Sequence, residues 1–400
     1  MRIAVFSTYD ITPGGNGGEI RFQNLYRRLS QTDHVRVVAY DRQGTAAVRR
    51  HRLAPALDVA NMAISFADKY QFSMNEEQTG LYPHDVMCIE DYDFSTAFLN
   101  ETQATVKWAD VVVVTNPFLN GLVFSLCGPL QLKVFEAHNV EGDAKAQYYA
   151  ASRAPALSDR LVAATIRSER QAVWAADLVV AVSQDDADRF VTEYGISRSR
   201  VHVVPNGVNV EAFDAITPDA KRGFRAAAGL ADSDVGVFLG SSYGPNVDSY
   251  RLARQWLSDA GFSGTILVVG SIAKVFNTTW PKVGFTEHWM GFVDDAIKRL
   301  VLSASDFALQ IVASGGGTNL KLFDYMAAGA PILANAFGAR GVAEAGWFIP
   351  ADTAADISRT VCNRAWHSGA AAEGARNAHA IAMRDYDWTL IAARYRALLA

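Results

Sequence analysis

Short, continuously apolar runs recur along the chain, each followed by a polar or glycine-rich turn and then by apolar residues at helical spacing. Residues 3–7 form the first run. They lead through Pro13-Gly14-Gly15-Asn16-Gly17-Gly18 and Glu19 into a helix pattern on Ile20, Leu25, Tyr26 and Leu29. Similar runs stand at 35–39, 111–115, 132–135, 178–182 and 201–204, then at 235–240, 265–270, 289–292, 307–312 and 331–334. Runs this uniformly apolar suit parallel strands covered on both faces. Helix patterns lie between them, at 157–176, after Ser183, at 296–304, from Leu320 to Ala328 and at 388–399. Ser183 opens its helix as an N-cap, with Asp185 and Asp186 in the favourable first turn. A basic cluster (Arg42, Arg49, Arg50, His51, Arg52) is followed by residues to about Leu99 that read as mixed helical segments.

Strands alternating with helices in both halves predict an α/β protein of two doubly wound parallel-sheet domains. Pro205-Asn206-Gly207 is a turn that ends a strand and marks the boundary. The expected domains are 1–206 and 207–384, with a C-terminal helix in 385–400 packing back on the first.

Half of the 400 residues are hydrophobic, which is ample for two cores. The net charge of −5 gives no support to a nucleic-acid partner. Cys88, Cys127 and Cys362 are widely spaced, so neither a disulfide framework nor a zinc site is expected. MRIAVFS reads as a strand and not as a signal peptide, and no apolar run approaches the ~18 residues of a membrane span. The expected setting is the cytoplasm. Peripheral contact with the inner face of a membrane stays open, because the basic cluster is either a solvated surface or a seat for an acidic acceptor or lipid headgroup.

The chemistry concentrates in SGGGTNLKLFDYMAAGAP, residues 314–331. Glycines at a helix entrance let backbone N–H groups approach an anion, and the helix dipole favours negative charge there. Asp324, inside that helix, is placed to accept hydrogen bonds from ribose hydroxyls. The first glycine loop does not satisfy GxGxxG spacing, so dinucleotide binding is disfavoured and a loop lining an acceptor pocket is the better reading. His138 follows a strand's carboxyl end in EAHNVE, where α/β proteins place ligands.

With ADLVVAVS (176–183), VHVVPNGVNVEAF (201–213), GFVDD (291–295) and the 314–331 stretch in this order and spacing, the chain resembles the retaining nucleotide-sugar glycosyltransferases of family 4, almost end to end. The resemblance implies a GT-B fold, two Rossmann-like domains facing a central cleft. The second domain would hold a nucleotide sugar and the first an acceptor. Gly316, Gly317, Thr318 and Asn319 would meet the diphosphate and sugar, Asp324 the ribose, and Phe292 and Val293 the base. His138 would lie by the transferred sugar, and Gly15, Gly17, Gly18 and Glu19 would form the acceptor-side loop.

Two departures from the family pattern matter. Its first paired acid is Gly316 here, and its Arg and Lys after the second domain's first strand are replaced by GSSYGPN, with Ser241 and Asn246. A variant subgroup with a GGGTNLK loop fits better. Lys321, with Arg340 second, is expected to meet the diphosphate charge as a mobile cation. The implied activity is transfer of a hexose from a UDP- or GDP-sugar to a saccharide, lipid-linked or small-molecule acceptor with retention, needing no metal or further cofactor. Two alternatives stand beside it: a GT-B-like binding protein for a nucleotide sugar or protein partner that has lost turnover, and a nucleotide-sugar epimerase, for which no set of acids is evident.

Overall fold

The apolar runs fold as strands with both faces covered, and those at Val111–Val114, Leu178–Ala181, Val235–Leu239 and Thr265–Val269 are buried at every position. The structure, a computed structural model, describes residues 1–11, 17–41, 48–82, 84–89, 94–277, 279–314 and 320–400. They group into two units, Met1–Pro205 with Trp388–Ala400, and Asn206–Asp387.

The first unit holds eight strands: β1 Arg2–Ser7, β2 His34–Asp41, β3 Val48–Ala54, β4 Leu57–Ala63, β5 Val111–Val114, β6 Leu132–Glu136, β7 Leu178–Ala181 and β8 Val201–Val203. Their order is β3-β4-β2-β1-β5-β6-β7-β8, and every pairing is parallel except β3 with β4. The chain winds outward from β1 and then returns to β5 on its other side. The order therefore reverses between β1 and β5, and a ligand crevice is expected beyond the carboxyl ends of these strands. The terminal helix, Trp388–Leu399, packs on the first one, Gly17–Leu29.

Strand β4 overturns the helical reading of the stretch that follows the basic cluster, although Phe66–Thr79 and Thr96–Trp108 are helices. The basic cluster hid a strand. Arg49, Arg50 and Arg52 ride the antiparallel edge strand β3, where charge discourages pairing with other chains. They pair there with Asp10, Glu101 and Asp58 at 2.5, 2.6 and 2.8 Å.

The second unit carries β9 Val235–Leu239, β10 Thr265–Val269, β11 Thr286–Gly291, β12 Phe307–Gln310, β13 Ile332–Ala334 and β14 Ile349–Pro350. They form an all-parallel sheet in the order β11-β10-β9-β12-β13-β14, which reverses between β9 and β12. The loops after β9 and β12 thus flank this sheet's switch point. Phe238, Ile266 and Leu333 pack on one face, and Val237, Leu267 and Ala334 on the other. Among the described residues no helix is long and apolar enough to cross a membrane.

Backbones crowd at the carboxyl ends of β9 and β10. Gly270 holds φ 107°, and a Cβ added there would lie 2.2 Å from the Gly240 carbonyl oxygen. Both the torsion and the contact exclude a side chain. Gly270→Ala is expected to destabilise the second unit by roughly 1–3 kcal/mol. Urea unfolding followed by tryptophan fluorescence checks this, and an unchanged midpoint would show that the close approach relaxes freely.

Candidate active site

The helix Leu320–Ala328 buries Leu322, Phe323, Tyr325 and Met326, and ends where Gly329 takes φ 67°. Tyr325 anchors it, its hydroxyl oxygen accepting the Leu239 N–H at 2.7 Å. This bond ties the helix to the end of β9 and carries Lys321 over the Phe238 ring, Nζ 4.5 Å from the centroid. Lys321 Nζ also donates to Asn246 Oδ1 at 3.0 Å, and Asn246 Nδ2 donates to Ser241 Oγ at 2.9 Å. Asn246 sits in the first turn of the helix Gly244–Asp259, which Pro245 opens. One chain of hydrogen bonds thus joins the loop after β9 to the helix after β12.

No carboxylate pairs with Lys321 among the described residues, and burial pushes its ammonium down to about 7. A cation held without a counter-ion beside a helix entrance is suited to an anionic ligand. About one turn further on, Asp324 is ion-paired with Lys298 of the helix Asp295–Ala304 at 3.3 Å. Burial raises the Asp324 carboxyl above its ordinary value, with Lys298 opposing.

Phe292 follows Gly291, which has φ 68°, and is 76% exposed, whereas Val293 packs against the core. Arg340 lies in the loop after β13, its guanidinium 3.9 Å above the Phe337 ring and bonded to the Phe337 carbonyl. Gly15, Gly316, Gly317, Thr318 and Asn319 lie outside the described residues. Gly17, Gly18 and Glu19 begin the first helix, where Glu19 is buried in the first turn.

In the first unit, His138 follows β6 and is held by Tyr9, whose hydroxyl lies 3.5 Å from Nδ1, and by Glu136, whose Oε1 lies 3.7 Å from Nε2. Glu136 is fully buried. Arg21 Nε donates to Oε1 at 2.7 Å, and the Tyr26 and Tyr395 hydroxyls donate to Oε2 at 2.5 and 3.1 Å. Burial alone would raise this carboxyl, but Arg21, His138 and Tyr26 hold it well below the usual carboxylate range. The helix Glu141–Tyr149, which follows His138, is capped from below by buried Glu169, which accepts the Glu141 and Gly142 N–H groups and the Tyr194 hydroxyl. Burial pushes the Glu169 carboxyl up to about 7 against those hydrogen bonds.

Sequence reasoning missed Arg21, Tyr26, Tyr395 and Lys298 as parts of these sites. Arg21 carried one signal, a charge set beside Phe22, Leu25 and Tyr26 on the helix's inner face. Among the described residues no three His, Cys, Asp or Glu side chains converge as a metal site.

Residues 15–212 match the sequence family described as Glycosyltransferase Family 4. The chain belongs to glycosyltransferase family 4. Its two doubly wound sheets are those of the GT-B fold, shared end to end with solved proteins of that class. HepE of Anabaena, solved in complexes with UDP and with UDP-glucose, is 14% identical, with a TM-score of 0.66 for the UDP complex over 100% of this chain and 99% of that one. Sucrose-phosphate synthase of Thermosynechococcus elongatus is 16% identical, with a TM-score of 0.68 over 100% and 98%. A D-inositol 3-phosphate glycosyltransferase of Xylanimonas cellulosilytica is 37% identical over 76 residues, a match that spans 18% of this family 4 chain and 18% of that protein.

Proposed function

We propose that this chain is a retaining glycosyltransferase that moves a hexose from a UDP- or GDP-sugar to a saccharide, lipid-linked or small-molecule acceptor. The observation that carries this reading is the Lys321–Asn246–Ser241 chain at the second sheet's switch point, with Asp324 a turn beyond Lys321. Family membership and the UDP complexes of HepE support a nucleotide-sugar donor.

The assigned roles follow from charge. Cleaving the bond between the anomeric carbon and the diphosphate oxygen sends an electron pair to the diphosphate and positive character to the sugar. Lys321 and the helix entrance meet the growing negative charge, which needs no metal in this assignment. Asp324 accepts from the ribose, and Phe292 with Val293 borders the base. The acceptor hydroxyl attacks the face that the diphosphate leaves, and its proton passes to a diphosphate oxygen. The acceptor side falls to the first unit, and the family resemblance assigns His138 its role there.

A thermal-shift panel of UDP, GDP, ADP, TDP and CMP with their sugar conjugates tests the donor class. A ligand at 100 times its Kd adds about 2.7 kcal/mol to the folded state. Stabilisation by UDP or GDP is expected, and a melt that none of them moves would defeat the reading. Slow donor hydrolysis would then separate a transferase from a binding protein that holds the donor without turnover. His138→Ala is expected to lower kcat by about 10²-fold while donor affinity changes little. An unaltered kcat would return His138 to a structural role.

A further inference from the structure

Asp324 and Lys298 come from neighbouring helices, and their pairing has a definite geometry. Lys298 Nζ lies 3.3 Å from Asp324 Oδ2 and 3.3 Å from Asp295 Oδ1. The Lys298 and Asp324 side chains are only 25% and 20% exposed. Asp324 Oδ1 has no hydrogen-bond partner among the described residues, so one oxygen of this carboxylate is engaged and the other is not. The pair is largely shielded, whereas Asp295 is 78% exposed and contributes mainly a solvated charge.

We infer that Lys298 is a positioning residue for the ribose-binding carboxylate: it occupies Oδ2 of Asp324 and leaves Oδ1, ionised and fixed in direction, for the sugar hydroxyls of the nucleotide. The inference rests on the donor-site reading above. Two further points support it. Burial drives the Asp324 carboxyl toward its neutral form, and Lys298 is the foremost group opposing that drive. The other charged groups around it do less. Arg299 of the same helix acts at longer range, Asp295 acts in the opposite sense, and Tyr325 is engaged with Leu239. His379, from the helix Gly369–Asp385, is bonded to the Ala327 carbonyl and to Asp214. A neutral Asp324 would turn one acceptor oxygen into a donor and lose the charge that strengthens a bond from a hydroxyl.

Titration calorimetry of the full chain with UDP and 2′-deoxy-UDP tests this, with GDP and 2′-deoxy-GDP run in parallel. A hydrogen bond to a charged group typically contributes a factor of roughly 10 to 100 in affinity. The unaltered protein is therefore expected to prefer the ribonucleotide by about 10-fold or more. Lys298→Met should bring the ribonucleotide down to the affinity of the deoxy form and leave the deoxy form within about twofold. Lys298→Arg should restore most of the preference, which a purely structural role would not require. A melting curve on each variant confirms that it folds.

The failures are distinguishable. If the unaltered protein binds neither nucleotide of a pair, or binds both equally, the ribose-site reading falls and takes this inference with it. If the unaltered protein discriminates and Lys298→Met keeps the same ratio, only the positioning role is overturned. Equal losses for ribo and deoxy forms in Lys298→Met would also overturn it, because Lys298 would then be touching the nucleotide itself.

Discussion

Lys321→Met is expected to lower turnover by about 10²–10³-fold, the loss typical of removing one preorganised group from a site of developing charge. Methionine keeps the apolar stem that covers Phe238, so the effect isolates the ammonium. Its pH signature is specific. In the unfolded chain Lys321 has the ordinary value of 10.5, and in the folded, ligand-free protein burial brings it to about 7. Between these two values the unfolded state binds more protons, so this residue makes stability rise with pH from about 7 to 10.5. A bound diphosphate reverses the preference, because its charge favours the ammonium. Donor binding then takes up a proton above pH 7, and affinity falls by up to tenfold per pH unit. Ligand-free stability and donor affinity therefore move in opposite directions over the same window, and Lys321→Met removes both slopes. Calorimetry at pH 7, 8 and 9 in buffers of different ionisation enthalpy measures the proton uptake. Equal slopes in the variant and the unaltered protein would take Lys321 off the diphosphate.

How far the sequence reveals such a site depends on whether its signal is local. The strands are local signals, and Val111–Val114 or Thr265–Val269 announce themselves because nothing polar interrupts them. The helix Leu320–Ala328 is equally legible, since its buried residues and Gly329 lie within ten positions. The Lys321–Asn246 bond joins residues 75 positions apart, and only the motif resemblance suggested that the two serve one ligand. Lys298 was invisible for a physical reason. Spaced three residues from Asp295, it looks like a solvated helix-surface pair, and its second carboxylate comes from another helix. Strand β3 failed differently. Its burial is only partial and its arginines carry the surface charge of an edge, so the alternation that normally marks a strand is absent. Arg21 puts a charge among the apolar residues of its helix, and it cannot be told from an exposed arginine until Glu136, 115 residues away, is seen beside it.

That pair gives the largest expected effect on stability. Arg21→Ala should cost roughly 3–5 kcal/mol, because it leaves the buried Glu136 carboxylate without its cation. The side chains of Arg21 and Glu136 are each 1% exposed, so water does not replace the lost partner. The Tyr26 and Tyr395 hydroxyls remain as donors, but they are neutral. The sign of the pH dependence checks the mechanism. In the unaltered protein the Glu136 carboxyl lies below its unfolded value, so its contribution is fully present at neutral pH and is lost as pH falls through the folded value. Without Arg21, burial dominates and the folded value rises above the unfolded one. Glu136 then opposes folding most at neutral pH, and the penalty shrinks as pH falls toward 5. The difference in urea midpoint between Arg21→Ala and the unaltered protein should therefore narrow from pH 8 to pH 5. The double variant Arg21→Met, Glu136→Leu should recover most of the loss at pH 8, since an apolar pair of similar size often replaces a buried ion pair without penalty. It should not recover turnover if Glu136 also orients His138, 3.7 Å away. A midpoint difference independent of pH would mean that the lost stability comes from packing around the arginine stem and not from the stranded carboxylate.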